Sequence, residues 1–170
     1  MKSTARSGKI GPGGLQASRR LMMARDLDAV LAIEVRAYSH PWTRGNFMDS
    51  LASGYHVELL HVLDRGEVEL AGYFVLMFGV DELHLLNITV APEWQGQGLG
   101  WGLLDAVSTL ALDRGLARVL LEVRAGNRRA QGLYSRYGFE AIGMRRGYYP
   151  AALGREDAVV MRLALAARSR

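Results

Sequence analysis

A run in the middle of the chain, Val90-Ala91-Pro92-Glu93-Trp94-Gln95-Gly96-Gln97-Gly98-Leu99-Gly100, joins two segments of opposite periodicity. Before it lies an apolar stretch, Leu83–Val90, that reads as a strand; after it Leu99, Leu103, Val107 and Leu110 recur at helical spacing. Gly96, Gly98 and Gly100 let the backbone come close to a ligand, and a helix N-terminus adds unpaired N–H groups and the positive end of a dipole. That combination suits a phosphate. No Lys-Ser/Thr follows, so the loop is not of the nucleoside-triphosphatase type. A dinucleotide fingerprint fails too, because the third glycine position falls on Trp101 or Leu103. On these residues alone, a tight turn without a ligand stays open.

The segments around the loop alternate. Helical spacing and a cap at Asp26 predict a helix over 27–38, which His40-Pro41-Trp42-Thr43 stops because the residue before a proline leaves the helical region. A short helix near 47–51 and strands at 55–63, 68–80 and 83–90 follow. The long amphipathic helix ends at Gly115, and a strand at 118–124 comes next. Ala130, Leu133, Tyr134 and Tyr137 mark another helix, closed by Gly138-Phe139, before strands at 141–148 and 157–165. Strands in hairpin order followed by a β-α-β-α unit predict a mixed α/β sheet with helices on both faces.

The 170 residues are enough for one domain, expected over 15–166, with a flexible basic tail at 1–14 and a short tail at 167–170. No apolar run approaches the ~18–20 residues of a membrane span, so no membrane association is expected. Cysteine is absent, which excludes disulfides, thiolate metal sites and a cysteine acyl-enzyme and suits a cytoplasmic setting. The four histidines show no metal-ligand spacing and no Gly-x-Ser-x-Gly elbow exists, so neither a metal nor a serine nucleophile is expected. The net charge of +4 is local: Lys2, Arg6, Lys9, Arg19, Arg20 and Arg25 precede the first acid, and the remainder holds 15 basic against 17 acidic residues. Direct nucleic-acid binding by the domain is therefore not expected.

Gln95-x-x-Gly98-x-Gly100 on a strand-to-helix turn resembles the pyrophosphate loop of the Gcn5-related N-acetyltransferases (GNAT), which bind acetyl-coenzyme A. The resemblance continues through Leu121-Glu122-Val123-Arg124-Ala125-Gly126-Asn127 and Leu133-Tyr134-Ser135-Arg136-Tyr137-Gly138-Phe139. His40-Pro41-Trp42, Arg145-Arg146-Gly147-Tyr148-Tyr149-Pro150 and Gly154-Arg155-Glu156-Asp157-Ala158 resemble more particularly the RimI group, ribosomal-protein-alanine N-acetyltransferases. Together these segments span about 16–165. The resemblance implies the GNAT fold, acetyl-coenzyme A as co-substrate and, as acceptor, the N-terminus of small-subunit ribosomal protein eighteen.

Acetyl transfer to an amine needs a neutral amine and a proton for the departing thiolate. Alternation over 118–124 places Leu120 and Glu122 on one strand face and Val119, Leu121 and Val123 on the other. Glu122 is thus a partly desolvated candidate base, or else an ion-pair partner of Arg118 or Arg124; the resemblance implies the base. A phenol, ordinarily titrating near 10, can hold a proton for a thiolate. Tyr134 reads equally as a packing residue, and the resemblance implies the acid. Asn127 is a fair helix cap that by resemblance also contacts the coenzyme. The resemblance further implies that the backbone of Ile88, Thr89 and Val90 runs beside the pantetheine arm and that Gln95, Gly96, Gln97, Gly98, Leu99, Gly100 and Trp101 surround the pyrophosphate. A basic residue is common in the family where Trp101 stands here. Trp42, Tyr148 and Tyr149 are expected to shape an acceptor-peptide groove, or to lie as aromatic lids on the core. Acetylation of lysines or small amines, and a non-catalytic acyl-coenzyme A-binding module on the ribosome, are the competing readings. The sequence is silent on oligomeric state.

Overall fold

Periodicity and turn chemistry account for most of the elements in the computed structural model, which describes residues 6–166. In order they are β1 (Arg6–Ile10), β2 (Leu15–Leu21), α1 (Leu27–Ala37), α2 (Arg44–Ala52), β3 (His56–Asp64), β4 (Glu67–Phe78), β5 (Glu82–Val90), α3 (Leu99–Asp113), β6 (Arg118–Arg124), α4 (Arg128–Tyr137), β7 (Glu140–Pro150) and β8 (Arg155–Ala164). The strands follow the order β1-β2-β3-β4-β5-β6-β8-β7. β5 and β6 are parallel and the hairpin pairs antiparallel, so the expected mixed α/β sheet is formed. The chain divides into two compact units. One holds the chain up to Leu76 with Asn87–Leu103, and the other holds Met77–Leu86 with the chain from Leu104. No helix among the described residues is long and apolar enough to cross a membrane.

In the first unit, α1 and α2 are joined through the proline turn. Val30 and Ile33 of α1 and Phe47 of α2 are buried with Leu59 and Leu60 of β3 and Tyr73, Phe74 and Val75 of β4. The Thr43 hydroxyl accepts the Asn46 N–H, and the Asn46 side chain accepts the Thr43 N–H, a reciprocal cap that starts α2. Asp64 pairs with Glu67, leaving Arg65–Gly66 as a two-residue turn with φ of 49° and 86°, the twist a tight hairpin prefers.

Two expectations are corrected in this unit. The tail expected to be flexible over 1–14 is a paired strand from Arg6 to Ile10, set against Leu15–Arg19; residues 1–5 and 167–170 lie outside the described residues. Asp26 does not cap α1 with its side chain. It ends a short 3₁₀ turn, accepts the Met23 N–H, and meets the Arg20 guanidinium in two bonds of 2.7 Å. That pairing with Arg20 is the main reason its carboxyl is held down to about 2. The folded value lies below the ordinary 3.8, so the stabilisation is fully present above that range and fades as pH falls through about 2. Asp26→Asn is expected to lower the melting temperature at neutral pH and to match the parent near pH 2; an undiminished difference in acid melts would contradict this.

In the second unit, β6 is placed as its alternation predicts. Val119, Leu121 and Val123 are buried with Leu83 and Leu85 of β5, Val107 and Leu110 of α3, and Met161 and Leu163 of β8. Gly138, at φ 121°, ends α4 by donating its N–H to the Tyr134 carbonyl, which also accepts the Phe139 N–H. Phe139 then folds back to 5.7 Å from the Tyr134 ring.

Candidate active site

Alternation along β5 buries Asn87 and Thr89 and half-exposes Ile88 and Val90. The Ala91 N–H donates to the Ala71 carbonyl of β4, and a Cβ on Gly72 would lie 2.5 Å from the Thr89 carbonyl oxygen. Thr89 and Ala91 therefore turn their backbone groups toward β4. Because successive residues face opposite edges, Ile88 and Val90 turn theirs the other way. The Val90 carbonyl accepts the Gln95 side-chain amide at 3.1 Å, which holds the loop to the strand end.

After the strand, Pro92–Trp94 makes a single 3₁₀ turn. Gly96 (φ 78°) and Gly98 (φ 81°) then take backbone conformations that other residues rarely adopt. A Cβ on Gly96 would meet no atom within 4 Å, so the loop is open in front of that residue. Leu99 sends its side chain into the core at 1% exposure and can offer a ligand only its backbone, whereas Trp101 is 42% exposed on the first turn of α3. Gly100 follows Leu99 into the helix, and Gln97 is exposed. An open loop with main-chain N–H groups at a helix start fits a pyrophosphate.

The β1–β2 turn packs against this loop. A Cβ on Gly98 would sit 2.9 Å from Pro12 Cδ and 3.1 Å from Gly11 Cα, and one on Gly102 would sit 2.5 Å from Ile10 Cγ2. Glycine inside a helix costs about 1 kcal/mol relative to alanine, so Gly102 has a packing reason. Gly102→Ala is expected to displace the stiff, β-branched Ile10 and free the hairpin. Tryptic cleavage after Lys9 should then accelerate with little change in melting temperature, and unchanged cleavage would refute the contact.

In the second unit the parallel ladder between β5 and β6 runs from Glu82/Arg118 to Leu85/Leu121. Glu122 is the next residue of β6 and pairs only on its other side, with Val160. Its side chain is 17% exposed, and Arg145 Nε lies 3.4 Å from Oε1. The two cations that sequence proximity suggested as partners are engaged elsewhere. Arg118 lies 3.4 Å from Glu82, and Arg124 bonds Glu156 at 3.0 Å and the Pro150 carbonyl at 2.8 Å. Arg124 also sits 4.5 Å from the centre of the Tyr149 ring.

Tyr149 and Tyr148 meet edge to face at 4.9 Å. Burial pushes the Tyr149 phenol up to about 12, and the Glu122 charge adds to the shift, so this phenol stays protonated beside the carboxylate. β7 carries a bulge here, because Arg145 pairs with Ala158 but Tyr149 with Glu156. The bulge is braced: Asp157 accepts the Gly147 N–H at 2.8 Å, and Arg155 donates to the Gly147 and Tyr148 carbonyls at 2.5 and 3.0 Å. Arg145, Arg155, Glu156 and Asp157 lie within the motifs of this region, but their contacts depend on a strand register that no local sequence pattern fixes.

Asn127 caps α4, its side chain accepting the Ala130 N–H at 3.1 Å. Tyr134 is 8% exposed and packs on Phe139. Trp42 belongs to the first unit, where its ring lies 5.3 Å from Phe47 and its backbone N–H donates to Glu34. No group of three or more His, Asp or Glu among the described residues could hold a metal.

Residues 27–139 match the Acetyltransferase (GNAT) family. The chain is 38% identical over 138 residues to the [ribosomal protein bS18]-alanine N-acetyltransferase of Escherichia coli K12, covering 81% of this chain and 90% of that protein. It is 37% identical over 143 residues to the protein of the same name from Salmonella typhimurium, covering 84% and 94%. The crystal structure of the ribosomal-protein-S18-alanine N-acetyltransferase from Escherichia coli superposes with a TM-score of 0.78 at 35% identity, covering 91% of this chain and 97% of that one.

Proposed function

The chain belongs to the GNAT acetyltransferase family and is an acetyl-coenzyme A-dependent N-acetyltransferase, and from that premise we propose that its acceptor is the N-terminal alanine of a small-subunit ribosomal protein. The relatives at 37–38% identity carry this activity in their names. The observation that carries the chemistry is Glu122, set just past the end of the β5–β6 ladder with its exposure reduced to 17%. An alanine α-amine titrates near 7.7–8.0, so at neutral pH a carboxylate has one proton to remove at modest cost. Lysine, near 10.4, asks much more of the same group.

In this reading the N–H groups from Gly96 to Trp101 hold the pyrophosphate, and the outward-facing backbone of Ile88 and Val90 lies along the pantetheine arm. Gln95 keeps the loop folded onto the strand, and Asn127 starts α4 and contacts the coenzyme. Glu122 takes one proton of the ammonium, the neutral amine attacks the thioester carbonyl directly, and Tyr134 gives its proton to the sulfur as the C–S bond breaks; the second nitrogen proton, lost as the amide forms, restores the phenol. Trp42, Tyr148 and Tyr149 flank the acceptor peptide. A ribosomal acceptor places the reaction in the cytoplasm.

Mass spectrometry of an Ala-starting basic peptide incubated with the protein and acetyl-coenzyme A tests this. One acetyl adduct is expected, and none once the α-amine is blocked. Adducts on lysines of the blocked peptide would move the assignment to side-chain amines, and no adduct on any amine would remove it.

A further inference from the structure

Glu34 is an acid in the core. It lies on α1 with 1% exposure, among Val30, Ile33 and Phe47, and its hydrogen-bonding partners are neutral donors. Oε1 accepts the backbone N–H of Trp42 at 2.9 Å, Oε2 accepts the Tyr73 hydroxyl at 2.5 Å, and the Asn87 amide stands 3.3–3.4 Å from both oxygens. Burying a carboxylate without a cation carries a penalty of several kcal/mol that an apolar side chain would avoid. Packing alone therefore does not explain a glutamate here.

Its partners are informative. The Trp42 N–H belongs to the turn between α1 and α2, just after Pro41, where no helix ladder can satisfy it. The next N–H, of Thr43, is taken by Asn46, so both donors of the turn are held by side chains and the Trp42 ring is held over Phe47. On the other side, Asn87 accepts the Thr89 hydroxyl at 2.8 Å, and the Tyr38 hydroxyl lies 2.8 Å from both Thr89 Oγ1 and the Ile88 carbonyl. Burial raises Tyr73 far above the ordinary phenol range and Tyr38 to about 12, so both remain O–H donors at any working pH. A continuous polar path thus runs from the Trp42 turn through Glu34 to the backbone of Ile88.

We propose that Glu34 is a positioning residue for the acceptor: it anchors the Trp42 turn to the β5 strand and thereby sets the wall against which the peptide N-terminus lies. This rests on the assignment of Trp42 to the acceptor groove. Glu34 touches neither substrate and acts through Trp42.

Glu34→Leu removes the anchor while filling the space, and Glu34→Gln keeps an acceptor for the Trp42 N–H. With an Ala-starting peptide, Glu34→Leu is expected to raise KM about tenfold, the scale of one hydrogen bond to a charged acceptor. The kcat and the coenzyme Kd from calorimetry should stay within about twofold, and Glu34→Gln should restore most of the KM. If Glu34→Leu does not fold, Tyr73→Phe, which deletes one donor, should raise peptide KM about threefold at unchanged coenzyme affinity. Equal losses in kcat, peptide KM and coenzyme binding would reduce Glu34 to a stability residue, as would unchanged KM in Tyr73→Phe if that is the only variant that folds. Trp42→Ala separates the two layers. If it leaves peptide KM unchanged, the groove assignment fails; if it raises KM while Glu34→Leu does not, the anchor fails.

Discussion

Replacing Glu122 by glutamine is expected to lower kcat/KM for an Ala-starting peptide by about 10²–10⁴-fold, the range a positioned general base contributes. Glutamine preserves the volume and the β6 pairing with Val160, so the loss should come from the missing proton acceptor and not from the fold. Glu122 pairs with Arg145, whose side chain is 56% exposed. A pair so open to solvent contributes at most about 1 kcal/mol, so the melting temperature should scarcely move. The pH profile separates a base from a docking charge. As pH rises past about 8 the α-amine loses its proton to water without help, and the deficit of the variant should shrink. A deficit constant from pH 6 to 9, or an equal deficit in Arg145→Ala, would assign Glu122 to holding Arg145 in place.

That Glu122 could be singled out from the sequence, and its ion-pair partner could not, reflects which forces act locally. Strand alternation fixes the face on which Glu122 projects, and the β6 limits at Arg118 and Arg124 coincide with those expected. Gly138-Phe139 was equally legible, since a positive φ at a helix end and an aromatic folding back are turn chemistry. Arg145 reaches Glu122 through the registers of β7 on β8 and of β8 on β6, which are set by contacts far apart in the chain. The same holds for β1: Arg6-Ser7-Gly8-Lys9-Ile10 has no alternation, and its strand exists through pairing with β2 and contact with Gly98 and Gly102. Glu34 did leave a sequence signal. It falls four residues after Val30, on the same helix face, where an acid interrupts the apolar stripe.

Tyr134→Phe is the companion substitution, which removes the hydroxyl and keeps the ring. The ring is 8% exposed and rests 5.7 Å from Phe139, so phenylalanine keeps the packing, and the backbone carbonyl that accepts the Gly138 and Phe139 N–H groups is untouched. A packing role predicts near-wild-type kinetics for Phe and serious destabilisation for Tyr134→Ala, about 3–5 kcal/mol as for other buried aromatic truncations. A proton-donating role predicts that Phe lowers kcat by about 10²-fold or more while both substrates keep their KM, since only an interaction made in the transition state is lost. Steady-state kinetics at saturating peptide and coenzyme, alongside a thermal melt, decide between them. A Phe variant with undiminished kcat would leave Tyr134 as core and require another donor for the leaving thiolate. The fully protonated Tyr149 beside Glu122 would then be the first phenol to replace.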